Sequence, residues 1–283
     1  MTEEQQYPIQ TPAWCPGCGN FNILATLEAT LSSLNIAPHE MVIVSGIGQA
    51  AKLPHYIQCN AFNGLHGRAL PVAAGIAMAN PEMLVVVHTG DGDCYGEGGN
   101  HFIHAIRRNV NTTLFVHNNQ IYGLTKGQAS PTSMQGTKSK TQPFGSLSSQ
   151  FNPLAVAISM DCGFVARGFA GDREHLQSLM EEAINYKGFA LLDILQPCIS
   201  FNKLNTFKWY KDRVYHLEED HDGGDQLQAL KRSLEWGERI PIGIFYRKEK
   251  QTFTDDLPPL NNGPLPQQVF DQQKAAQVLQ EFY

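Results

Sequence analysis

The sequence predicts an α/β fold in which helices flank a doubly wound, mainly parallel sheet, followed by a C-terminal arm. Three observations carry that expectation. Residues 83–88 and 113–117 are short, β-branched-rich apolar runs bounded by Gly, Asn or Asp, the pattern of strands buried on both faces. Helical periodicity appears between such runs, beginning with Ile23, Leu24, Leu27, Leu31 and Leu34. Strand, helix, strand repeated in this rhythm favours a parallel sheet joined by crossover helices.

Taken in order, Cys15-Pro16-Gly17-Cys18 forms a tight turn, and Asn20 is expected to cap the helix that follows. Residues 41–44 make a buried strand ending at Ser45-Gly46-Ile47-Gly48, and 71–79, small and apolar, a helix packed closely on the sheet. The strands near Met83 and Thr113 bracket a helix over 98–108. Residues 129–152, rich in Ser, Thr, Gln, Gly and Pro, read as a long functional loop. A helix over 172–186 and a strand over 189–195 complete the regular part. Beyond Cys198 the pattern loosens into helices over 225–237 and 267–283, joined through Pro258, Pro259, Pro264 and Pro266. The expected division is therefore residues 1–198 as the α/β domain and 199–283 as an extension.

Composition limits the function classes. A chain of 283 residues, 42% apolar, buries a substantial core. A net charge of −6 lacks the basic footprint of a nucleic-acid binder, and no apolar run is long enough to span a membrane. The acidic, polar start Met1-Thr2-Glu3-Glu4 is unlike a secretory signal, so the expected location is cytoplasmic. Six cysteines without an export signal favour metal or redox use over structural disulfides.

The first strand runs into Gly90-Asp91-Gly92-Asp93 and the second into Asn118-Asn119. Each polar cluster thus falls at the carboxyl end of a parallel strand, where open α/β sheets bind ligands. An Asp and an Asn side chain there offer hard oxygen ligands for Mg²⁺, which commonly completes its shell with phosphate oxygens. Gly90, Gly92, Gly96, Gly98 and Gly99 allow close approach of a diphosphate, with a helix N-terminus pointing at it. Alone, a Gly-Asp-Gly turn or an Asn-Asn pair is an ordinary connection; the combination is what points to a ligand. Cys15 and Cys18 present two thiolates on one turn, and Cys198 lies at another strand's carboxyl end. Zinc, redox dithiol and iron–sulfur readings are all open for such a pair.

Gly-Asp-Gly followed at this spacing by Asn-Asn resembles the thiamine diphosphate signature. Gly99-Asn100-His101, Arg107-Arg108-Asn109, Tyr122-Gly123-Leu124-Thr125-Lys126-Gly127-Gln128 and Ser130-Pro131-Thr132 resemble the β subunit of 2-oxoacid:ferredoxin oxidoreductases, over about Trp14 to Phe201. The resemblance implies a fold of the thiamine diphosphate-binding type and a reversible reaction: a 2-oxoacid, best guess 2-oxoglutarate, reacts with coenzyme A and oxidised ferredoxin to give acyl-CoA, CO₂ and reduced ferredoxin. It implies Mg²⁺ on Asp91, Asn119 and the Ile121 carbonyl. Ile47, Gly48, Gln49, Ala50, Gly92, Asp93, Tyr122, Gly123 and Thr125 would line the cofactor, with Lys52, His66, Arg68 and Leu124 at the reacting end. It also implies an α subunit that carries the pyrimidine-binding domain, in an α₂β₂ assembly.

Next to a thiamine site the cysteines are expected to hold a [4Fe–4S] cluster. Cys15, Cys18 and Cys198 match three of the family's ligands, but Gln49 stands where the fourth cysteine usually falls. Cys59 is the expected substitute. Cys94 and Cys162 read as small core residues. Two alternatives stay open: pyruvate or broad 2-oxoacid specificity, and a non-redox thiamine lyase subunit with structural zinc. Lys203, Lys208, Lys211 and Arg213 lie among aromatics just after Cys198, either as a packed arm or as a docking face for acidic ferredoxin.

Overall fold

A computed structural model of the chain describes Tyr7, residues 10–217 and residues 221–282. Tyr283, at the end of the last expected helix, lies outside the described residues. Helix α1 (Gly19–Ser33) leads into β1 (Met41–Ser45) and, after a 3-10 turn over Ala50–His55, β2 (Asn60–Asn63). Helix α2 (Ala69–Ala79), β3 (Leu84–Gly90), α3 (Gly99–Arg108) and β4 (Thr112–Asn118) follow, and then a small hairpin, β5 (Ile121–Tyr122) with β6 (Gln128–Ala129). The chain continues through α4 (Pro153–Ser159), β7 (Phe164–Phe169), α5 (Arg173–Asn185) and β8 (Phe189–Leu195). Helix α6 (Phe207–Lys211), β9 (Val214–His216), α7 (Gln226–Ser233), β10 (Ile240–Arg247) and α8 (Gln272–Gln280) complete the order.

Eight strands form one sheet in the order β2-β1-β3-β4-β8-β7-β10-β9. The first six are parallel; β10 runs antiparallel to β7 and carries β9 alongside it. Alternate residues of the central strands feed two cores, as the period of a strand requires. Val42, Val44, Val85, Val87, Leu114 and Val116 pack under α2, α3, α4 and α7. Ile43, Val86, Phe115 and Leu192 pack against Leu24, Leu27 and Leu31 of α1 and Leu176 and Met180 of α5. Both faces are covered, which is why the strands read as unbroken apolar runs. Each such leucine removed from water contributes about 1.5–3 kcal/mol.

The expected α/β architecture is the observed one. Asn20, however, does not cap α1. Cys18 is the N-cap residue, without a side-chain cap bond, and Asn20 lies inside the helix with its Oδ1 2.8 Å from His117 Nδ1. Beyond residue 198, β9 and β10 extend the same sheet, so the arm-like part is confined to the stretch after Arg247. There α8 has no buried residue.

The topology gathers one end of the sheet. Strands β3 and β4 are neighbours with Gly90 paired to His117, so Asp91 and Asn118-Asn119 emerge side by side. The carboxyl ends of β1 and β8 flank them and deliver residues 46–50 and 196–201 to the same edge.

Candidate active site

Asp91 is the most constrained group at this edge. It is 1% exposed, and its Oδ2 accepts hydrogen bonds of 2.5 Å from both Ser130 Oγ and Thr132 Oγ1. Thr132 Oγ1 also lies 2.9 Å from Asn118 Oδ1, while Asn118 Nδ2 donates to Asp193 at 3.0 Å. Burial pushes the Asp91 carboxyl up to about 6, against the two hydroxyl donors that favour its charged form. A divalent cation at the same spot reverses that cost, which is the physical reason to read Asp91 as a metal ligand. Asn119 Oδ1 accepts from the Ile121 N–H at 3.0 Å and keeps a lone pair, and Ile121 brings its carbonyl to the same turn.

The turn after Asp91 is a π-helical segment over Gly92–Glu97 before α3 begins. It turns Asp93 toward α2. Asp93 Oδ2 accepts from Thr89 Oγ1 at 2.6 Å, and Oδ1 from the Gly67 N–H at 2.7 Å. His66 Nδ1 lies 2.6 Å from Asp93 Oδ1 and 3.4 Å from Glu97, so Asp93 orients this ring. The neighbouring backbones are as close as glycine permits. A Cβ on Gly46 would sit 2.0 Å from Asp93 Oδ2, and one on Gly92 2.3 Å from the Tyr122 ring.

These groups enclose a cleft of about 100 Å³ lined by Ile47, Gly48, Gln49, Ala50, His66, Gly90 to Asp93, Asn119 and Ile121 to Thr125. Leu124 lies on its lip, 44% exposed, an apolar surface beside otherwise polar walls. Every residue expected to line the cofactor or hold Mg²⁺ is therefore in one place, and the donor set and glycine walls fit a diphosphate with its cation. Lys52 and Arg68 are not brought in. Lys52 is half-buried on the 3-10 turn, and Arg68, exposed, sits at the N-cap of α2.

A second pocket shares a wall with the first. Trp14, Cys15, Cys18, Asn20, Gln196, Cys198 and Phe201 line it, and Gln49, Asn119 and Gly123 belong to both. Burial pushes the Cys18 thiol up to about 11, and Cys198 and Cys15 add to the shift, placing the three sulfurs within electrostatic reach. Gln196 Nε2 lies 3.5 Å from Cys18 Sγ. Three thiols around one pocket fit a cluster.

Cys59 does not join them, contrary to the expectation. It immediately precedes β2, whose register pairs Asn60 with Val42, so Cys59 sits at the amino end of a parallel sheet whose cysteine pocket is at the carboxyl end. The 3-10 turn carries the chain across the sheet edge between Gln49 and Cys59, and Cys59 packs against the core beneath α1. Cys94 and Cys162 are buried core residues.

Several working residues were not assigned from sequence. Ser130 and Thr132 hold Asp91 from the long loop. Asp193 on β8 is fully buried; it accepts from Tyr95 Oη at 2.8 Å and faces the buried Arg167 of β7. Burial raises the Asp193 carboxyl, and Arg167, Tyr95 and Asn118 oppose it. The visible signal was a charge inside each apolar strand run. His88 and His117 form a buried chain, 2.9 Å apart, that ends on Asn20 in the cysteine pocket. Burial holds both imidazoles neutral, His117 down to about 3.

Residues 39–194 match the family model of the thiamine pyrophosphate enzyme C-terminal TPP-binding domain. Residues 198–262 match that of the C-terminal region of the pyruvate ferredoxin oxidoreductase beta chain. The 2-oxoacid:ferredoxin oxidoreductase subunit beta of Saccharolobus solfataricus is 48% identical over 249 residues, 83% of this chain and 82% of the relative. The 2-oxoglutarate synthase subunit KorB of Methanocaldococcus jannaschii is 35% identical over 252 residues, 86% of this chain and 90% of its own. Among solved structures, a 2-oxoglutarate:ferredoxin oxidoreductase from Magnetococcus marinus, with 2-oxoglutarate, coenzyme A and succinyl-CoA bound, superposes with a TM-score of 0.90 at 34% identity, covering 99% of this chain and 96% of that one.

Proposed function

The chain belongs to the β subunits of the 2-oxoacid:ferredoxin oxidoreductases, and from that premise we propose that it oxidises a 2-oxoacid of the 2-oxoglutarate type, in the cytoplasm, together with an α partner. The products are acyl-CoA, CO₂ and reduced ferredoxin. One observation carries the reading: the cleft with the buried Asp91 and the pocket with three cysteines share Gln49, Asn119 and Gly123 as a common wall. Chemistry and electron removal would thus be adjacent.

Asp91, Asn119 and the Ile121 carbonyl would hold Mg²⁺, and Gly48, Gly92 and the backbone of 47–50 the diphosphate. When bound, thiamine diphosphate supplies the electron sink that lets a 2-oxoacid lose CO₂. Leu124 would press the cofactor's apolar side, and His66, oriented by Asp93, would serve the substrate end. Lys52 and Arg68, outside the cleft in the isolated chain, are assigned to the substrate carboxylate in the assembled enzyme. Both cleft carboxylates, Asp91 and Asp93, are already committed to hydroxyl, amide or imidazole partners. The carboxylate that thiamine enzymes need on the pyrimidine side is therefore expected from the α subunit, in an α₂β₂ assembly. Among the described residues no helix is long and apolar enough to cross a membrane.

Anaerobic co-purification with the α partner, followed by assay of ferredoxin reduction on a panel of 2-oxoacids with and without coenzyme A, tests the proposal. CoA-dependent reduction fastest with 2-oxoglutarate is expected. Preference for pyruvate would overturn the substrate assignment, and zinc in place of iron and acid-labile sulfide would overturn the redox half.

A further inference from the structure

We propose that the cluster of this chain is held by three thiolates, Cys15, Cys18 and Cys198, and that its fourth iron faces the side-chain amide of Gln49. This rests on the cluster reading above and concerns how that cluster is held.

The three sulfurs line one pocket, and Gln49 lines it with them. Its Oε1 is buried and has no hydrogen-bond partner. Orphaned buried acceptors are rare, and one in a pocket of thiols points to a ligand that completes it. The residue is held from its backbone side, where the Gln49 carbonyl accepts from Trp14 Nε1 at 2.8 Å. Gln196 lines the same pocket and its Oε1 is likewise buried without a partner. Its amide, however, is held by Nε2 on Cys18 Sγ and, at 2.8 Å, on the Pro197 carbonyl, and Gln49 is the one that stands where the family's fourth cysteine usually falls. No other cysteine is available: Cys59 is at the far end of the sheet, and Cys94 and Cys162 are 3% and 1% exposed within the core.

A neutral amide oxygen is a poor iron ligand beside thiolates. One iron is then weakly held, and the cluster carries one negative charge fewer than with four thiolates, which shifts its potential upward. Under a one-electron oxidant the four-iron cluster gives one electron to that oxidant, releases one ferrous ion and leaves a three-iron cluster on the three thiolates.

The test uses the anaerobically isolated complex with the α partner, treated with ferricyanide and EDTA. Iron, acid-labile sulfide and bound thiamine are counted, and paramagnetic resonance spectra are recorded. Wild type is expected to fall from four irons to three per β chain and show the three-iron signal. Once EDTA is removed and dithionite supplies one electron per cluster, it should take back one enriched ferrous ion detectable by Mössbauer spectroscopy. Gln49→Cys should keep four irons under the same treatment, and Cys59→Ser should behave as wild type. Retention of four irons by wild type, or loss of the cluster in Cys59→Ser, would overturn the proposal while leaving the enzyme reading intact. A complex that retains thiamine but holds no iron or sulfide would overturn both the proposal and the cluster reading.

Discussion

Replacing Asp91 by Asn should make the cofactor-free chain more stable and the cofactor-loaded chain impossible to form. The carboxyl rises from its ordinary 3.8 to about 6 because it is fully buried, a difference worth about 3 kcal/mol of folding free energy. The sign follows from proton linkage. In the cation-free chain the folded state binds the Asp91 proton more tightly than the unfolded chain does. That contribution is fully present below pH 3.8 and is lost as pH rises through about 6. Asn is the neutral isostere and keeps an acceptor for Ser130 and Thr132, so it escapes the loss. Thermal unfolding in EDTA should therefore show Asp91→Asn melting roughly 6 °C above wild type near neutral pH, with the gap closing by about pH 4. Adding Mg²⁺ and thiamine diphosphate should raise the wild-type midpoint and leave the variant unmoved. A variant less stable than wild type in EDTA at neutral pH would refute the view of Asp91 as a desolvated carboxylate suited to a cation. Normal thiamine retention in the variant would refute its assignment as a ligand.

Other outcomes follow from the same geometry. Gly92→Ala places a methyl 2.3 Å from the Tyr122 ring and should weaken thiamine diphosphate binding at least about tenfold by titration calorimetry, about 1.4 kcal/mol; unchanged affinity would mean the ring yields freely. Leu124→Ala, at an exposed lip, should alter turnover while changing stability by under about 0.5 kcal/mol, so an equal fall in melting temperature would make Leu124 a packing residue. Lys211 is exposed, and Lys208 is paired with Asp212 at 2.8 Å on the same short helix. Reversing both to Glu should slow ferredoxin reduction at low salt and spare a small neutral dye; equal loss with both acceptors would mark the segment as structural.

The central strands and the cofactor cleft were legible because both depend on local pattern. Strands buried on two faces show as unbroken apolar runs, and two polar tips on adjacent parallel strands must meet. The remaining features are set by long-range packing, which no local pattern records. Strand β7 carries Arg167 in its middle, and a charge inside an apolar run hides the strand until its partner Asp193 is seen. Strand β10 contains Pro241 and Gly243, residues that argue against a strand, yet it lies between β7 and β9. Asn20 looked like a cap because it is polar and near the helix start, whereas its partner His117 is distant in sequence. Cys59 failed for a similar reason. Its proximity to Gln49 along the chain spans the sheet from one end to the other, and no sequence spacing records that crossing.

The proposed function requires the carboxyl ends of β3 and β4 to hold a magnesium diphosphate. A density map of the complex with its α partner, loaded with Mg²⁺ and thiamine diphosphate, tests that most directly. The predicted map has one cation about 2.1 Å from an Asp91 carboxylate oxygen, the Asn119 amide oxygen and the Ile121 carbonyl, with the diphosphate against Gly48 and Gly92 and the thiazolium beside Leu124. A cofactor bound elsewhere, or a cation that leaves Asp91 untouched, would contradict it.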